Sequence, residues 1–157
     1  MDSAHNTVEL NAALSNPRDD IAKLDELEKK LFALNYAANE IASFGPCIDP
    51  KKAAEERGEA LAILGEQVQE TLCDPAVGVL LDRLHENRAL LDETHRAQVK
   101  VLRRDRSQLV DVPVELQSNF VRLTTEANEV WEQAKNSDDW SLFAPKLDSL
   151  IELRKEM

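Results

Sequence analysis

The amino-acid sequence predicts an all-α protein, a bundle of five to seven mostly antiparallel helices joined by short connections that begin with proline. The first reason is composition: aromatic residues are 4% of the chain, glycines number only 4, and the strongest helix formers predominate. The second is hydrophobic spacing, because leucines recur at alternating three- and four-residue steps, as on the buried face of a helix. The third is that most prolines lie where a helix would begin, and three of the six directly follow Asn or Asp.

These start signals divide the chain into successive helices. An Asn or Asp before Pro can accept hydrogen bonds from the free N–H groups of the first turn, where the missing N–H of Pro costs nothing. A rise in polar content around Glu86-Asn87 predicts a break between the third and fourth helices. The predicted helices cover about 17–43, 50–73, 75–86, 87–110 and 113–134.

The last predicted element opens at Ser137-Asp138-Asp139. Because Pro145 interrupts the apolar pattern that follows, we predict a short turn and then a helix over 145–155. A chain of this length can bury a core without disulfides or a metal, so we predict one helical domain over residues 1–157. Residues 1–15 form either a short helix or a loose tail.

The charge of the chain argues against two classes of partner. With a net charge of −11 and a pI near 4.7, the surface would repel phosphate groups, so we expect neither nucleic-acid nor membrane binding. The basic run over 100–106 is interpreted as a solvated helix face, because Asp105 interrupts it.

The N-terminus and the cysteines predict a cytoplasmic location. Residues 1–5 are acidic and polar, unlike a signal peptide, and no apolar run approaches the ~18 residues of a membrane span. Cys47 and Cys73 lack the spacing of a zinc site, and we expect both to be reduced and buried. Cys47 follows the Gly45-Pro46 turn and could instead be exposed, but no basic partner that would activate it is identifiable.

The pair His85-Glu86 begins like the zinc-protease motif H-E-x-x-H. That motif needs a second His four residues after the first, so that one helical turn directs both rings at one ion. Here the fourth residue is Ala89, so the second ligand is missing. We interpret His85 as a solvent-facing residue.

Two Asp-x-x-His pairs, Asp82 with His85 and Asp92 with His95, have a spacing similar to that of the carboxylate–His pairs of di-iron bundles. Asp is one methylene shorter than Glu, and both pairs lie off the leucine-rich faces that predict the core. The favoured interpretation is therefore a pair of surface contacts one helical turn long.

Other catalytic patterns are missing from the sequence. No Ser or Cys lies in a glycine-framed turn, and the isolated glycines cannot form a phosphate-binding loop. Trp131 and Trp140 are interpreted as core residues, and we predict that Trp131, Phe143 and Leu147 anchor the packing of the last two helices. We therefore predict no catalytic residue, no metal ligand and no cofactor in this chain.

A series of short segments keeps a characteristic order and spacing over most of the chain, most clearly in its second half. They are VPVEL at 112–116, TEA at 125–127, WEQA at 131–134, DWSLFAPKL at 139–147 and LIEL at 150–153, preceded by RGEALA at 57–62 and Asp74-Pro75. In these segments the chain resembles the N-terminal region of the carboxypeptidase Taq family of zinc metallocarboxypeptidases.

The resemblance implies an all-helical fold in which the N-terminal helices form one wall and lid of a substrate groove. Family members remove C-terminal residues with a zinc or cobalt ion held by H-E-x-x-H and a later Glu. Those ligands belong to a part of the family with no counterpart in these 157 residues, so no catalytic residue is carried over. Where the family usually has a Trp-Asp pair and a Met-Pro-Pro turn, residues 43–51 read SFGPCIDPK, which suggests release from the constraints of the enzyme.

We therefore expect a non-catalytic helical domain that acts in protein or peptide binding. Helices separated from the body of such an enzyme would expose apolar faces, which favours self-association or a protein or peptide partner. One alternative is a part of a metal-dependent carboxypeptidase whose H-E-x-x-H portion is on another chain or missing. A second alternative is a metal-binding helical bundle built on the Asp-x-x-His pairs.

Overall fold

The computed structural model describes residues 16–43 and 50–157, with only the backbone of 50–53. Within these ranges every regular element is helical, so the prediction of an all-α fold is confirmed. None of the described helices is long and apolar enough to cross a membrane. The elements are α1 (Pro17–Ser43), α2 (Pro50–Cys73), α3 (Pro75–Glu86), a 3₁₀ turn (Arg88–Leu90), α4 (Glu93–Leu109), α5 (Val114–Ser137) and α6 (Trp140–Glu156).

The predicted helix starts at Asn16-Pro17 and Asp74-Pro75 are confirmed. The Asn16 side chain accepts a hydrogen bond from the backbone N–H of Arg18 at 3.1 Å. The Asp74 carboxylate accepts one from the N–H of Ala76 at 2.7 Å, with Pro75 in the first turn as expected. The predicted cap at Asp49, the stop at 44–46 and the N-terminal tail lie outside the described residues.

The predicted break after α3 is also confirmed. The chain leaves α3 at Asn87, passes through the 3₁₀ turn and re-enters a helix only at Glu93. This start is later than predicted because the Asp92 carboxylate caps α4, accepting a hydrogen bond from the backbone N–H of His95 at 2.9 Å.

The prediction of a turn before residue 145 is wrong, since α6 runs without interruption from Trp140. Asp139 caps the helix by accepting from the backbone N–H of Ser141 at 3.0 Å, so the helix is established before Pro145 is reached. Pro145 removes one hydrogen bond, that to the carbonyl of Ser141, and a proline inside a helix costs about 3 kcal/mol. Packing of α6 against α5 offsets that cost.

Contacts divide the chain into two compact units. The first comprises residues 1–32 and 70–110, and the second comprises 33–69 and 111–157. In the first unit the buried apolar residues are large and aliphatic, and burial of such a side chain stabilises by about 2 kcal/mol. They are Leu24, Leu27, Leu31, Leu72, Leu80, Leu81, Leu84, Leu91, Val99 and Leu102.

An ion pair also lies in the first unit. The Arg83 guanidinium on α3 donates two hydrogen bonds to the buried carboxylate of Asp20 on α1, at 3.0 and 2.9 Å. No feature of the sequence predicted this pair.

The second unit buries smaller residues. Its buried apolar residues are Ala54, Ala62, Ala127 and Ala134. Helices α2 and α5 run antiparallel, and a Cβ added to Gly58 would lie 3.5 Å from the Cβ of Thr125.

Polar pairs follow the α2–α5 contact along its length. Arg57 pairs with Glu129, the Arg122 guanidinium donates to Glu59 at 2.6 Å, and the buried Ser118 hydroxyl donates to Glu66 at 2.6 Å. Small side chains and these pairs therefore contribute to the packing of α2 against α5.

Candidate functional site

A group of large, partly exposed aromatic side chains in the second unit lies at the turn between α5 and α6. The rings of Trp131 and Phe143 meet edge to face with centroids 5.3 Å apart, and those of Trp140 and Phe143 do so at 5.5 Å. Even so, 42% of Trp131 and 57% of Trp140 remain exposed. We define the hairpin surface as these three aromatic residues together with Leu147 and Ile151 on α6.

Local sequence positions this surface. Asp138 adopts the left-handed conformation (φ 52°) that ends α5, and the next N–H, that of Asp139, donates to the carbonyl of Ala134 at 2.9 Å. The chain reverses in this one step, so α6 returns antiparallel along α5.

Two contacts along the hairpin fix the pairing of its helices. Lys146 on α6 donates to Glu126 on α5 at 2.8 Å, and the Arg154 guanidinium lies over the Phe120 ring, 5.7 Å from its centroid. No residue of α6 is fully buried, although its sequence is rich in leucine, isoleucine and aromatic residues.

The prediction that Trp131 contacts the start of the last helix is confirmed, but the interpretation of both tryptophans as core residues is wrong. Trp131 touches Phe143 across the turn, as expected. The burial expected of Trp131 and Trp140 is not found, since no described residue covers their outer faces enough to bring their exposure below 42% and 57%. The apolar spacing in the sequence located the contact, but it could not show which side of the hairpin is covered.

A cavity of about 350 Å³ also lies within the second unit. Its one charged lining residue, Arg57, is neutralised by Glu129, and the buried carbonyl oxygen of Gln117 has no donor among the described residues. The wall is therefore largely neutral. It is formed by Ala42, Arg57, Leu61, Gln117, Phe120, Val121, Thr124, Thr125 and Asn128.

The residues weighed as zinc ligands are not brought together by the fold. His85 and Glu86 are both exposed near the end of α3. Asp82, the other member of the first Asp-x-x-His pair, makes an ion pair at 3.0 Å with Arg103 on α4. Arg103 belongs to the basic run, so part of that run neutralises a carboxylate on the neighbouring helix α3.

The second Asp-x-x-His pair caps the start of α4. The Asp92 carboxylate accepts a hydrogen bond from the backbone N–H of His95, and the His95 ring lies 2.9 Å from the same carboxylate. Both interactions, the backbone hydrogen bond most strongly, lower the pKa of Asp92 below its usual value. The other ring nitrogen of His95 lies 3.4 Å from Asp25 on α1. Over 16–43 and 50–157, no three His, Cys, Asp or Glu side chains are grouped so that they could hold a metal ion.

The cysteines and the rest of the basic run have structural roles where they are described. The Cys73 thiol is free and half-buried, and burial raises its pKa, which makes a reactive thiolate less accessible. Cys47 lies outside the described residues. Arg106, at the end of the basic run, donates to the backbone carbonyl of Asp74 at 3.0 Å and so fixes the connection between α2 and α3.

The fold is thus that of a helical segment whose sequence is related to metallopeptidases. A family model described as carboxypeptidase Taq (M32) metallopeptidase matches residues 24–157, and the chain belongs to this family. The resemblance inferred from the sequence segments is confirmed.

Three curated relatives share this similarity. Carboxypeptidase 1 of Bacillus subtilis (strain 168) is 29% identical over 106 residues, which is 68% of this chain and 21% of the relative. Thermostable carboxypeptidase 1 of Thermus thermophilus is 29% identical over 109 residues, with the same coverage. Thermostable carboxypeptidase 1 of Pyrococcus furiosus is 30% identical over 129 residues, 81% of this chain and 25% of the relative.

The chain therefore spans a quarter or less of the length of the curated relatives that it matches. No solved structure matches it significantly.

Proposed function

We propose that this chain is a non-catalytic helical module that binds a protein partner through the hairpin surface. The observation that carries the proposal is the Trp131–Phe143–Trp140 cluster, which is packed into a fixed edge-to-face geometry yet remains open to water. A rigid aromatic group loses little conformational entropy on binding, and aromatic residues dominate the binding energy of many protein interfaces.

The non-catalytic part of the proposal rests on the histidines. Metal-assisted peptide hydrolysis needs a ligand set that holds an ion and an activated water molecule. The sequence has only 3 histidines and no H-E-x-x-H, and of the two that the structure describes, His85 faces solvent and His95 contacts Asp92 at the start of α4. We propose that the module works in the cytoplasm, where the Cys73 thiol stays reduced.

An activity assay tests this part directly. The purified chain, supplied with zinc or cobalt, is expected to release no C-terminal residue from an N-blocked dipeptide. Carboxypeptidase 1 of Bacillus subtilis serves as the positive control under the same conditions. Chelator-sensitive release that persists through repeated purification would contradict the proposal.

A second candidate is a subunit or segment of a metal-dependent carboxypeptidase whose catalytic portion is separate. The coverage of the relatives favours it, since 75–79% of each relative has no match in this chain. In that case the hairpin surface would bind the catalytic portion. The intact mass of the native assembly from the source cell, with the identity of its subunits, separates the two candidates: a second polypeptide with H-E-x-x-H favours the enzyme part.

A further inference from the structure

One face of α5 forms most of the wall of the cavity within the second unit. Gln117, Val121, Thr124 and Asn128 follow one another at steps of four, three and four residues, the spacing of neighbours on one side of a helix. The volume of about 350 Å³ lies at the lower end of the range of small-molecule sites. None of the described lining residues belongs to the hairpin surface, so the cavity is a separate site on the molecule.

The polar group of this wall that lacks a partner is the amide of Gln117. Its carbonyl oxygen is buried and accepts no hydrogen bond within the described residues. A buried acceptor without a donor lowers the stability of a fold, and a leucine at this position would avoid that cost. Gln117 is thus placed to receive a hydrogen-bond donor from a molecule that enters the cavity.

The two threonines of the wall also offer acceptors. The Thr124 hydroxyl donates to the backbone carbonyl of Phe120 at 2.7 Å, and the Thr125 hydroxyl donates to the carbonyl of Val121 at 2.9 Å. Because each hydroxyl hydrogen is already used, the two oxygens have only lone pairs left for a ligand. A ligand that fits this wall therefore carries N–H or O–H donors.

The charges of the wall favour a neutral ligand. Its one charged residue among those described, Arg57, is paired with Glu129, and both side chains are largely buried. A charged ligand would lose its hydration there without meeting an unpaired opposite charge. An anion would in addition be repelled by the net charge of −11.

We propose that the cavity binds a small neutral molecule that carries a carboxamide or lactam group, paired with the amide of Gln117. A carboxamide presents an N–H and a C=O side by side, so it can donate to the Gln117 carbonyl and accept from the Gln117 N–H at the same time. It complements the glutamine amide in either orientation of that amide. The apolar part of the molecule would then pack on Leu61, Phe120 and Val121.

Three probes of one shape test the ligand class in NMR titrations of the full chain. Benzamide is neutral, benzoate is its anionic counterpart without an N–H, and benzamidine is its cationic counterpart without a carbonyl. We expect benzamide to bind with a dissociation constant of about 0.1–1 mM, as suits so small a molecule, and the two ions to bind about tenfold more weakly. Binding of none of them would mean that water alone partners Gln117 and would overturn the inference, as would equal binding of all three.

Gln117→Glu should reverse the order of the probes at mildly alkaline pH, where the new carboxyl is ionised. A carboxylate pairs with the two N–H groups of benzamidine in a charge-assisted contact, and it no longer donates to the carbonyl of benzamide. We therefore expect this variant to bind benzamidine more tightly than benzamide. An unchanged order of affinities overturns the role of Gln117.

Gln117→Leu separates a ligand-binding role from a structural one. The variant should lose benzamide binding, while its melting temperature stays the same or rises because a buried unpaired acceptor is removed. A lower melting temperature would assign Gln117 to the fold and contradict the inference. Gln133→Leu is the matched control: it makes the same change at an exposed position of α5 and should leave the affinity unchanged.

The same spectra locate the probe. We expect benzamide to shift the side-chain amide signals of Gln117 and to leave the indole N–H signals of Trp131 and Trp140 in place. Shifts confined to the two indole signals would place the probe on the hairpin surface and overturn this site. Because the cavity and the hairpin surface share no described residue, that result leaves the partner binding proposed above to its own test.

Discussion

The two units of this chain contain similar helices but are stabilised in different ways. The first buries ten large aliphatic residues, whereas the buried apolar residues described in the second are all alanines. In the second unit α2 and α5 are held by polar pairs and close backbone approach, while its tryptophans and Ile151 stay exposed. Covering the exposed tryptophans of the second unit in a complex would add stabilisation that its core of small residues lacks.

The largest expected effect concerns the aliphatic core. Leu81 is 1% exposed, so Leu81→Ala should lower the free energy of unfolding by about 3–5 kcal/mol through lost burial and the cavity left behind. Leu142→Ala, the same substitution at a residue that is 46% exposed in the second unit, should change it by less than about 1 kcal/mol. Urea unfolding followed by circular dichroism measures both. Equal losses of unfolding free energy in the two variants would show that the aliphatic core of the first unit contributes no more to stability than the exposed residues of the second.

The ion pair of the first unit gives the next largest effect. Arg83→Ala leaves the buried carboxylate of Asp20 without its two guanidinium donors and should cost about 3 kcal/mol. Adding Asp20→Ala should recover part of this loss, because the buried charge is then removed. A double variant whose loss equals the sum of the two single losses would show that the pair is not coupled.

Trp131→Ala measures how far the exposed cluster contributes to folding. A buried tryptophan would cost about 3–5 kcal/mol on truncation, but with 42% of Trp131 exposed we expect about 1–2 kcal/mol. The variant should remain folded and lose partner binding. Insoluble protein, or a loss as large as that of Leu81→Ala, would place Trp131 in the core after all.

The smallest effect is a pH dependence in the second unit. The hydrogen bond from Arg122 lowers the pKa of Glu59 below its usual value, so ionised Glu59 is favoured in the folded state. Its contribution to stability is therefore present above the ordinary glutamate pKa of about 4.3 and is lost as the pH falls through the lowered value. Glu59→Gln should flatten this part of the stability profile between neutral and acidic pH. A profile identical to that of the wild-type chain would show that the pair contributes nothing.

Features set by neighbouring residues could be predicted from the sequence. The caps at Asn16 and Asp74 and the break after Glu86 depend on residues a few positions apart. The family resemblance depends on short segments that follow one another in a fixed order and spacing, and it too was correct. Pro145 misled the prediction because its cost is local, whereas the packing that offsets it comes from α5.

The features that could not be predicted join distant positions. Asp20 and Arg83 are 63 residues apart, and nothing in the sequence pairs them. Exposure of Trp131 and Trp140 was missed for a related reason: helical spacing marks residues as apolar, but the hairpin geometry decides which of them a neighbour covers. The sequence thus predicted the contact between Trp131 and the last helix, but not the exposure of the hairpin surface.

The separation of α2 and α5 along the chain has a consequence for the order of folding. Their pairs join positions 52–72 residues apart, whereas the α5–α6 contacts of Lys146 and Glu126 join positions only 20 apart. Local helix pairs form quickly, and closure of a long loop is slower and entropically more costly. The α5–α6 hairpin is therefore expected to form early. Docking of α2 would follow once the intervening 70–110 segment has contracted into its own leucine core, which shortens the loop that must be closed.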